Sequence, residues 1–252
     1  MVASSTEERS NDLGIIGGSH SHDVLREVLA AAPPGKVLDA PCGTGVLADF
    51  LRERGWQVTC VDIDPGNFQA RDLPFARADL NRDALPFPDA SFDRVVCANG
   101  LHRLFNPAQV IKEFHRVLRD GGTLHVTLPN YGSIQHRLRF LFYGSVVSSI
   151  NRQRFEQTID APEARVRHHL FLPQLANLFE GAGFRISRMR ATDVRTIHLL
   201  LWPLGLCARL ASLLIRPRTR HRNRIEVANA GPVCCGGNFL YLEAARQNTP
   251  PS

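Results

Sequence analysis

A doubly wound α/β sheet is predicted by three observations on this chain. Short apolar runs at 36–40, 57–62, 75–79 and 93–98 alternate with stretches of helical periodicity. A glycine turn, Gly43-Thr44-Gly45, stands between the first run, Val37-Leu38-Asp39-Ala40, and a helix. The second run ends in acid at Val61-Asp62. Strand, helix, strand repetition around such a turn implies a Rossmann-like, seven-stranded, mostly parallel sheet with helices on both faces. The ligand of such a sheet lies at its carboxyl edge, where these motifs fall.

The elements follow in order. Residues 1–19 are polar and aperiodic and read as a flexible leader, with no basic segment leading into an apolar run, so no secretory signal is expected. A helix starts near Ser21, places Val24, Leu25, Val28 and Leu29 on one face, and stops at Pro33-Pro34-Gly35. A helix over 45–54, closed by Gly55, follows the glycine turn. Asn106-Pro107 opens another, whose Val110, Ile111, Phe114, Val117 and Leu118 form one stripe that Gly121-Gly122 ends. After a fifth strand at 123–128 the pattern breaks at Pro129-Asn130. An insertion over 131–170, rich in arginine and aromatic residues, begins as a helix at 135–143. A helix at 172–182, a strand at 184–191, a second insertion at 194–235 and a last strand at 238–244 complete residues 20–252 as one domain with helical insertions near the C-terminus.

On spacing alone, Gly43-Thr44-Gly45-Val46-Leu47-Ala48 fits a dinucleotide fingerprint, with Asp62 about 20 residues on to take ribose hydroxyls. Electrostatics argue otherwise. Asp39 lies four residues before the first glycine, and a carboxylate there repels a pyrophosphate held by helix N-terminal amides. It suits a ligand that carries a cation. Further segments keep the same order: Asp79-Leu80 after Phe75-Ala76-Arg77-Ala78, the run Phe92 to Asn99, and Glu113 to Leu124 with its diglycine turn. In these segments, from about residue 20 to the C-terminus, the chain resembles the class I S-adenosylmethionine-dependent methyltransferases.

The resemblance implies S-adenosyl-L-methionine as cofactor and assigns roles. Asp39 meets its amino group, Asp62 the ribose hydroxyls, Ile63 the adenine face, and Asp79 with Leu80 the adenine edge. Asn99 stands at the active-site end of the fourth strand. Gly43 and Gly45 let the backbone approach the ligand and turn into the helix, while Asp64 reads as a turn residue with Pro65-Gly66. For a base, His102 lies just beyond the fourth strand, where family members often carry histidine, with a positioning role as its alternative. His168-His169 open the next helical region and are candidates to face the acceptor. They are not read as metal ligands, since neighbouring side chains diverge and no third ligand is evident. His20 and His22 sit where the family's N-terminal segment closes over the cofactor.

Charge and composition bound the partners. Between 181 and 225 there are ten arginines against one acid, a local charge of +9 in a chain of net +6. Residues 199–215 are apolar except for Arg209 and Ser212, too short and too interrupted, by Pro203 and Arg209, to be read as a membrane span. A polar or small stripe runs through Arg195, His198, Gly205, Arg209, Ser212 and Arg216. Two readings follow: a helix buried on its own domain or in a dimer, or a helix lying in the plane of an anionic membrane surface with the 216–224 arginines on head groups. Leucines interleave the basic segment, so nucleic acid is not an expected partner. Six scattered cysteines, among them the adjacent Cys234-Cys235, point to reduced thiols in a cytoplasm, with the inner face of the membrane as a peripheral site.

Methyl transfer to oxygen on a small-molecule or a glycan- or lipid-linked acceptor is the expected activity. The alternatives are carbon or nitrogen methylation in quinone, polyketide or amine metabolism, and a non-catalytic cofactor-binding protein. The last is disfavoured because every cofactor segment is intact.

Overall fold

The computed structural model of the chain describes residues 19–70, 72–146 and 169–247. In chain order the elements are α1 (Ser19–Ala30), β1 (Lys36–Asp39), α2 (Val46–Arg52), β2 (Gln57–Asp62), β3 (Phe75–Arg77), β4 (Phe92–Ala98), α3 (Pro107–Val117) and β5 (Leu118–Pro129). There follow α4 (Ile134–Tyr143), α5 (Leu172–Gly181), β6 (Phe184–Thr192), α6 (Thr196–Leu213), α7 (Pro217–Arg222), α8 (Ile225–Ala228), α9 (Gly231–Cys234) and β7 (Phe239–Arg246). The leader expected at 1–19 and His168 fall outside the described residues, except that Ser19 opens α1.

The seven strands form one sheet in the order β3-β2-β1-β4-β5-β7-β6. All pairings are parallel except those of β7, which runs antiparallel to both β5 and β6. The order reverses between β1 and β4. That switch point opens a crevice at the carboxyl ends of both strands. Successive side chains alternate between faces, which gives two cores. Leu38, Val95, Cys97, Leu124 and Val126 pack with Val110, Ile111, Phe114 and Phe179 on one face. Val37, Val58, Cys60, Val96 and Tyr241 pack with Val24, Leu25, Leu29, Leu47 and Leu51 on the other. Helices therefore cover both faces, as the near-continuous apolar strands require.

Two elements differ from the sequence reading. The α3 stripe is buried as expected, but the helix ends at Val117, and Leu118 already pairs with Phe92 in the sheet. Gly121-Gly122 thus lies within β5, where a register shift between Phe92 and Arg94 absorbs it and Gly121 adopts φ 72. Completing the ladder outweighed a further half-turn of helix. The second difference is α6, which is not buried in its own domain. Only His198, Gly205 and Ser212 of its 18 residues are buried, and five of its seven leucines are exposed.

Candidate functional site

Asp39 closes β1, which is hydrogen-bonded to β2 on one side and β4 on the other. This central position leaves its side chain 1% exposed. Neither carboxylate oxygen has a hydrogen-bond partner. Burial first, and the neighbouring Asp62 second, push its carboxyl up to about 8. A buried carboxylate without donors costs free energy and is retained where something else neutralises it.

The glycine turn stands over this carboxylate. Gly43 adopts φ +55, and a Cβ there would meet nothing within 4 Å. Gly45 adopts φ +85 as the N-cap of α2, and a Cβ would press on Phe68 and Ala70 at 2.8 Å. Both positions therefore call for glycine, one for backbone conformation beside open space and the other for conformation and close packing. Asp62, at the end of β2, accepts the Gly43 amide at 2.8 Å through Oδ2 and the Asp64 amide at 3.2 Å through Oδ1. It holds the turn as well as facing it, a duty that its position on a strand end did not announce. Ile63 beside it is 44% exposed, an apolar side chain at the lip of the crevice. Asp64 caps the short turn Pro65–Asn67 by accepting from Gly66 N and Asn67 Nδ2, which agrees with its reading as a turn residue.

Asp79 follows β3. Its Oδ1 accepts from the backbone and side-chain nitrogens of Asn81, and its Oδ2 lies 3.5 Å from Arg82 Nε. Leu80 is buried behind this turn. The carboxylate thus already has turn contacts, and an adenine contact would be shared with them.

Asn99, just past β4, is a non-glycine residue at φ 50, a conformation asparagine tolerates best. Its amide donates to the Thr127 carbonyl and hydroxyl, and its Nδ2 donates to Ser21 Oγ at 2.6 Å. Its Oδ1 is buried without a partner. The bond to Ser21 spans 78 residues and ties the start of α1 to the carboxyl edge. No local signal predicts such a pairing. Behind Ser21, His22 is pushed down to about 4, by burial first and Arg26 second, so its imidazole is neutral at physiological pH. His20 belongs to α1, but its side chain falls outside the description.

The candidate bases separate. His102, in the 3₁₀ turn Leu101–Arg103, is only 2% exposed. His169 is exposed and packs edge-on to Tyr131 at 5.0 Å between ring centroids. Tyr131 also meets His136 at 5.8 Å and Phe171 at 6.3 Å. This aromatic group follows the carboxyl end of β5, one strand from Asn99. The one sequence signal for it is Ser133, which caps α4 by accepting from His136 N and so sets the ring of His136 beside Tyr131. His136 is held below its usual pKa, chiefly by burial and then by Arg139 and His198. By contrast, a shallow groove of about 520 Å³ at the opposite, amino edge is lined by Lys36, Trp56, Gln57 and Ser91 and assembles no comparable set of groups.

A family model described as a methyltransferase domain matches residues 38–126, the stretch from Leu38 in β1 to Val126 in β5. The malonyl-[acyl-carrier protein] O-methyltransferase of Pseudescherichia vulneris is 34% identical over 183 residues, covering 71% of this chain and 72% of that one. The demethylmenaquinone methyltransferase of Corynebacterium urealyticum is 39% identical over 105 residues, 40% of this chain and 44% of the other. A Mycolicibacterium smegmatis relative is likewise matched over 44% of its length, so the chain spans under half of these two. Among solved structures, the 1,6-didemethyltoxoflavin-N1-methyltransferase of Burkholderia thailandensis, with bound S-adenosylhomocysteine, superposes with TM-score 0.52 at 16% identity, covering 90% of this chain and 77% of that one. The chain belongs to the class I S-adenosylmethionine-dependent methyltransferases, and its cofactor is S-adenosylmethionine.

The residues present fit that cofactor. Asp39 is a buried carboxyl group with no internal partner for either oxygen, and Gly43 stands beside space that a side chain would fill. Both are features a cationic ligand pressed against backbone would use.

Proposed function

We propose that the protein transfers a methyl group from S-adenosylmethionine to an oxygen of a small-molecule or glycan- or lipid-linked acceptor. The observation that carries the reading is Asp39: a carboxylate buried at the switch point, with no internal donor for either oxygen. When bound, the cofactor supplies an electrophilic methyl group on a sulfonium. Asp39 holds its amino group, and Asp62 holds its ribose hydroxyls while keeping the Gly43 turn in place. Ile63 covers the adenine face, and the Asp79-Leu80 turn takes the adenine edge. Asn99 has a free Oδ1 at the crevice and is fixed by Thr127 and Ser21.

Most of the rate then comes from holding the acceptor in line, an effect worth roughly 7–11 kcal/mol in favourable intramolecular reactions. An oxygen acceptor must also lose its proton as the new bond forms. The exposed His169, set against Tyr131, is the better placed base, and the buried His102 suits a positioning role. Oxygen as the methylated atom is supported by the O-methyltransferase relative. Carbon or nitrogen methylation in quinone, polyketide or amine metabolism is the alternative, and a quinone acceptor is supported by the demethylmenaquinone methyltransferase relative. Six unbridged cysteines support a cytoplasmic setting.

The test is incubation with S-adenosylmethionine labelled on its methyl group and a panel of hydroxylated, quinone and amine acceptors. Label on a hydroxylated acceptor supports the proposal. Label appearing only on carbon or nitrogen replaces it with the alternative, and no transfer from a cofactor that binds points to the non-catalytic reading.

A further inference from the structure

Twelve of the fifteen large hydrophobic side chains exposed among the described residues lie on α4 and on α6 with the residue after it. So strong a concentration is a patch and not the ordinary scatter of surface leucines. On α4 the last turn presents Phe140, Leu141, Phe142 and Tyr143 in succession, with Phe142 75% exposed. On α6 the exposed residues include Leu199, Leu200, Trp202, Leu210 and Leu213, and Leu214 just beyond is 89% exposed. The two helices pack on each other.

The polarity of α6 is inverted. A helix on a water-soluble surface turns its apolar stripe to the core and its polar residues outward. Here the residues turned inward are His198, Gly205 and Ser212, at seven-residue spacing, and Leu199, Leu200, Leu204, Leu210 and Leu213 are exposed. Gly205 lies against the Cys234-Cys235 backbone and the Cys235 thiol, where a Cβ would come within 2.7 Å of sulfur. The His198 Nδ1 accepts the Arg195 amide and caps the helix start. The inward side is thus a fitted contact, so the helix lies along the domain. Its outward side is built for an apolar medium.

Charge decides which medium. Helix α7 follows directly, and Arg216, Arg218 and Arg222 are exposed and make no ion pair among the described residues, unlike Arg220 and Arg224, which pair with Glu226 and Glu180. An apolar helix face continuous with unpaired arginines matches a bilayer that offers hydrocarbon and anionic head groups together. Tyrosine and tryptophan near such a face suit the interface between them. A second copy of this chain docked by the same face would bring the same arginines.

We propose that α4 and α6 seat the protein in the plane of an anionic membrane surface, with α7 on the head groups. The proposal uses no step of methyl transfer. The experiment is co-sedimentation of the full chain with phosphatidylcholine vesicles, with and without phosphatidylglycerol, at low and high salt. Alongside it run the variants L200D/L213D and R218E/R222E, with S-adenosylhomocysteine binding measured on each. The native chain pellets with anionic vesicles and much less with neutral ones, and salt weakens the effect. L200D/L213D loses both. R218E/R222E loses roughly tenfold to a hundredfold of the anionic binding, as expected for two basic residues at such a surface. Cofactor binding is unchanged throughout, which separates failure here from failure of the proposed activity. Negligible pelleting with both vesicles, or equal pelleting with both, overturns the proposal. A dimer in sedimentation velocity that L200D/L213D abolishes, with no vesicle binding, assigns the face to a second copy instead.

Discussion

The carboxyl edge of the sheet and the α4–α6 arm break the same rule of burial in opposite directions. At the edge, polar groups are inside without partners: both oxygens of Asp39 and Oδ1 of Asn99. On the arm, apolar groups are outside without cover. Folding alone rewards neither, since an unsatisfied buried acceptor costs about 1–3 kcal/mol and exposed leucine forgoes its transfer free energy. Each departure describes what its own side is suited to meet. The edge suits a compact cation with donors, and the arm suits an apolar medium. The two sites are therefore expected to respond independently, one to cofactor and pH and the other to lipid and salt.

The largest effect should come from Asp39→Asn. The substitution removes the anion that receives the cofactor's amino group, so affinity for S-adenosylhomocysteine should fall by about 1.5–3 kcal/mol, the value of a hydrogen bond to a charged group. Stability should move the other way. The folded carboxyl titrates near 8, above its unfolded value, so stability declines as pH rises from the ordinary carboxylate range to about 8, and above 8 the native protein carries the unpaired buried charge. The asparagine variant should escape that decline and melt higher than the native chain at pH 9, by thermal unfolding without ligand. A variant that loses both binding and stability would make Asp39 a packing residue.

Asp62→Ala should cost about 1–3 kcal/mol of cofactor affinity by losing the ribose contact, and some of that loss should come from a looser Gly43 turn. Gly43→Ala separates the parts. It strains φ +55 and adds a methyl to the open space, so it should weaken binding with Asp62 intact. Equal affinity in Gly43→Ala would mean the ligand does not approach this backbone. His169→Ala should lower turnover at saturating substrates with cofactor affinity unchanged, whereas His102→Ala should act on the acceptor's Michaelis constant more than on turnover. The smallest effect belongs to Asp64→Ala, whose carboxylate only caps a local turn. A large loss of cofactor affinity there would shift the ribose role away from Asp62.

Much of this was readable in the chain because it is local. The strands announce themselves by apolar runs, the α3 stripe by its spacing, and the Asp39 and Gly43 pair by their order along one strand and turn. Long-range facts were not readable. Ser21 and Asn99 are 78 residues apart, and only the closed fold brings them together. The small and polar stripe on α6 was visible, but a stripe does not say which of its sides meets the domain. Packing of Gly205 on Cys234-Cys235 settles that. The end of α3 was misplaced because glycines suggest a helix stop, while the demand that decided was sheet pairing of Leu118 with Phe92.

The central claim is that Asp39 waits in the fold for a cation, and proton counting tests it most directly. Titration calorimetry of S-adenosylhomocysteine into the native protein, in two buffers of different ionisation enthalpy from pH 6 to 9, measures protons exchanged on binding. A cationic ligand favours the ionised carboxylate, so binding below about 8 should release a proton from Asp39, and affinity should rise toward pH 8 by up to about tenfold per unit and then level. The release should vanish in Asp39→Asn. Binding with no proton release from the native chain at any pH, or release that persists in the asparagine variant, would contradict the account.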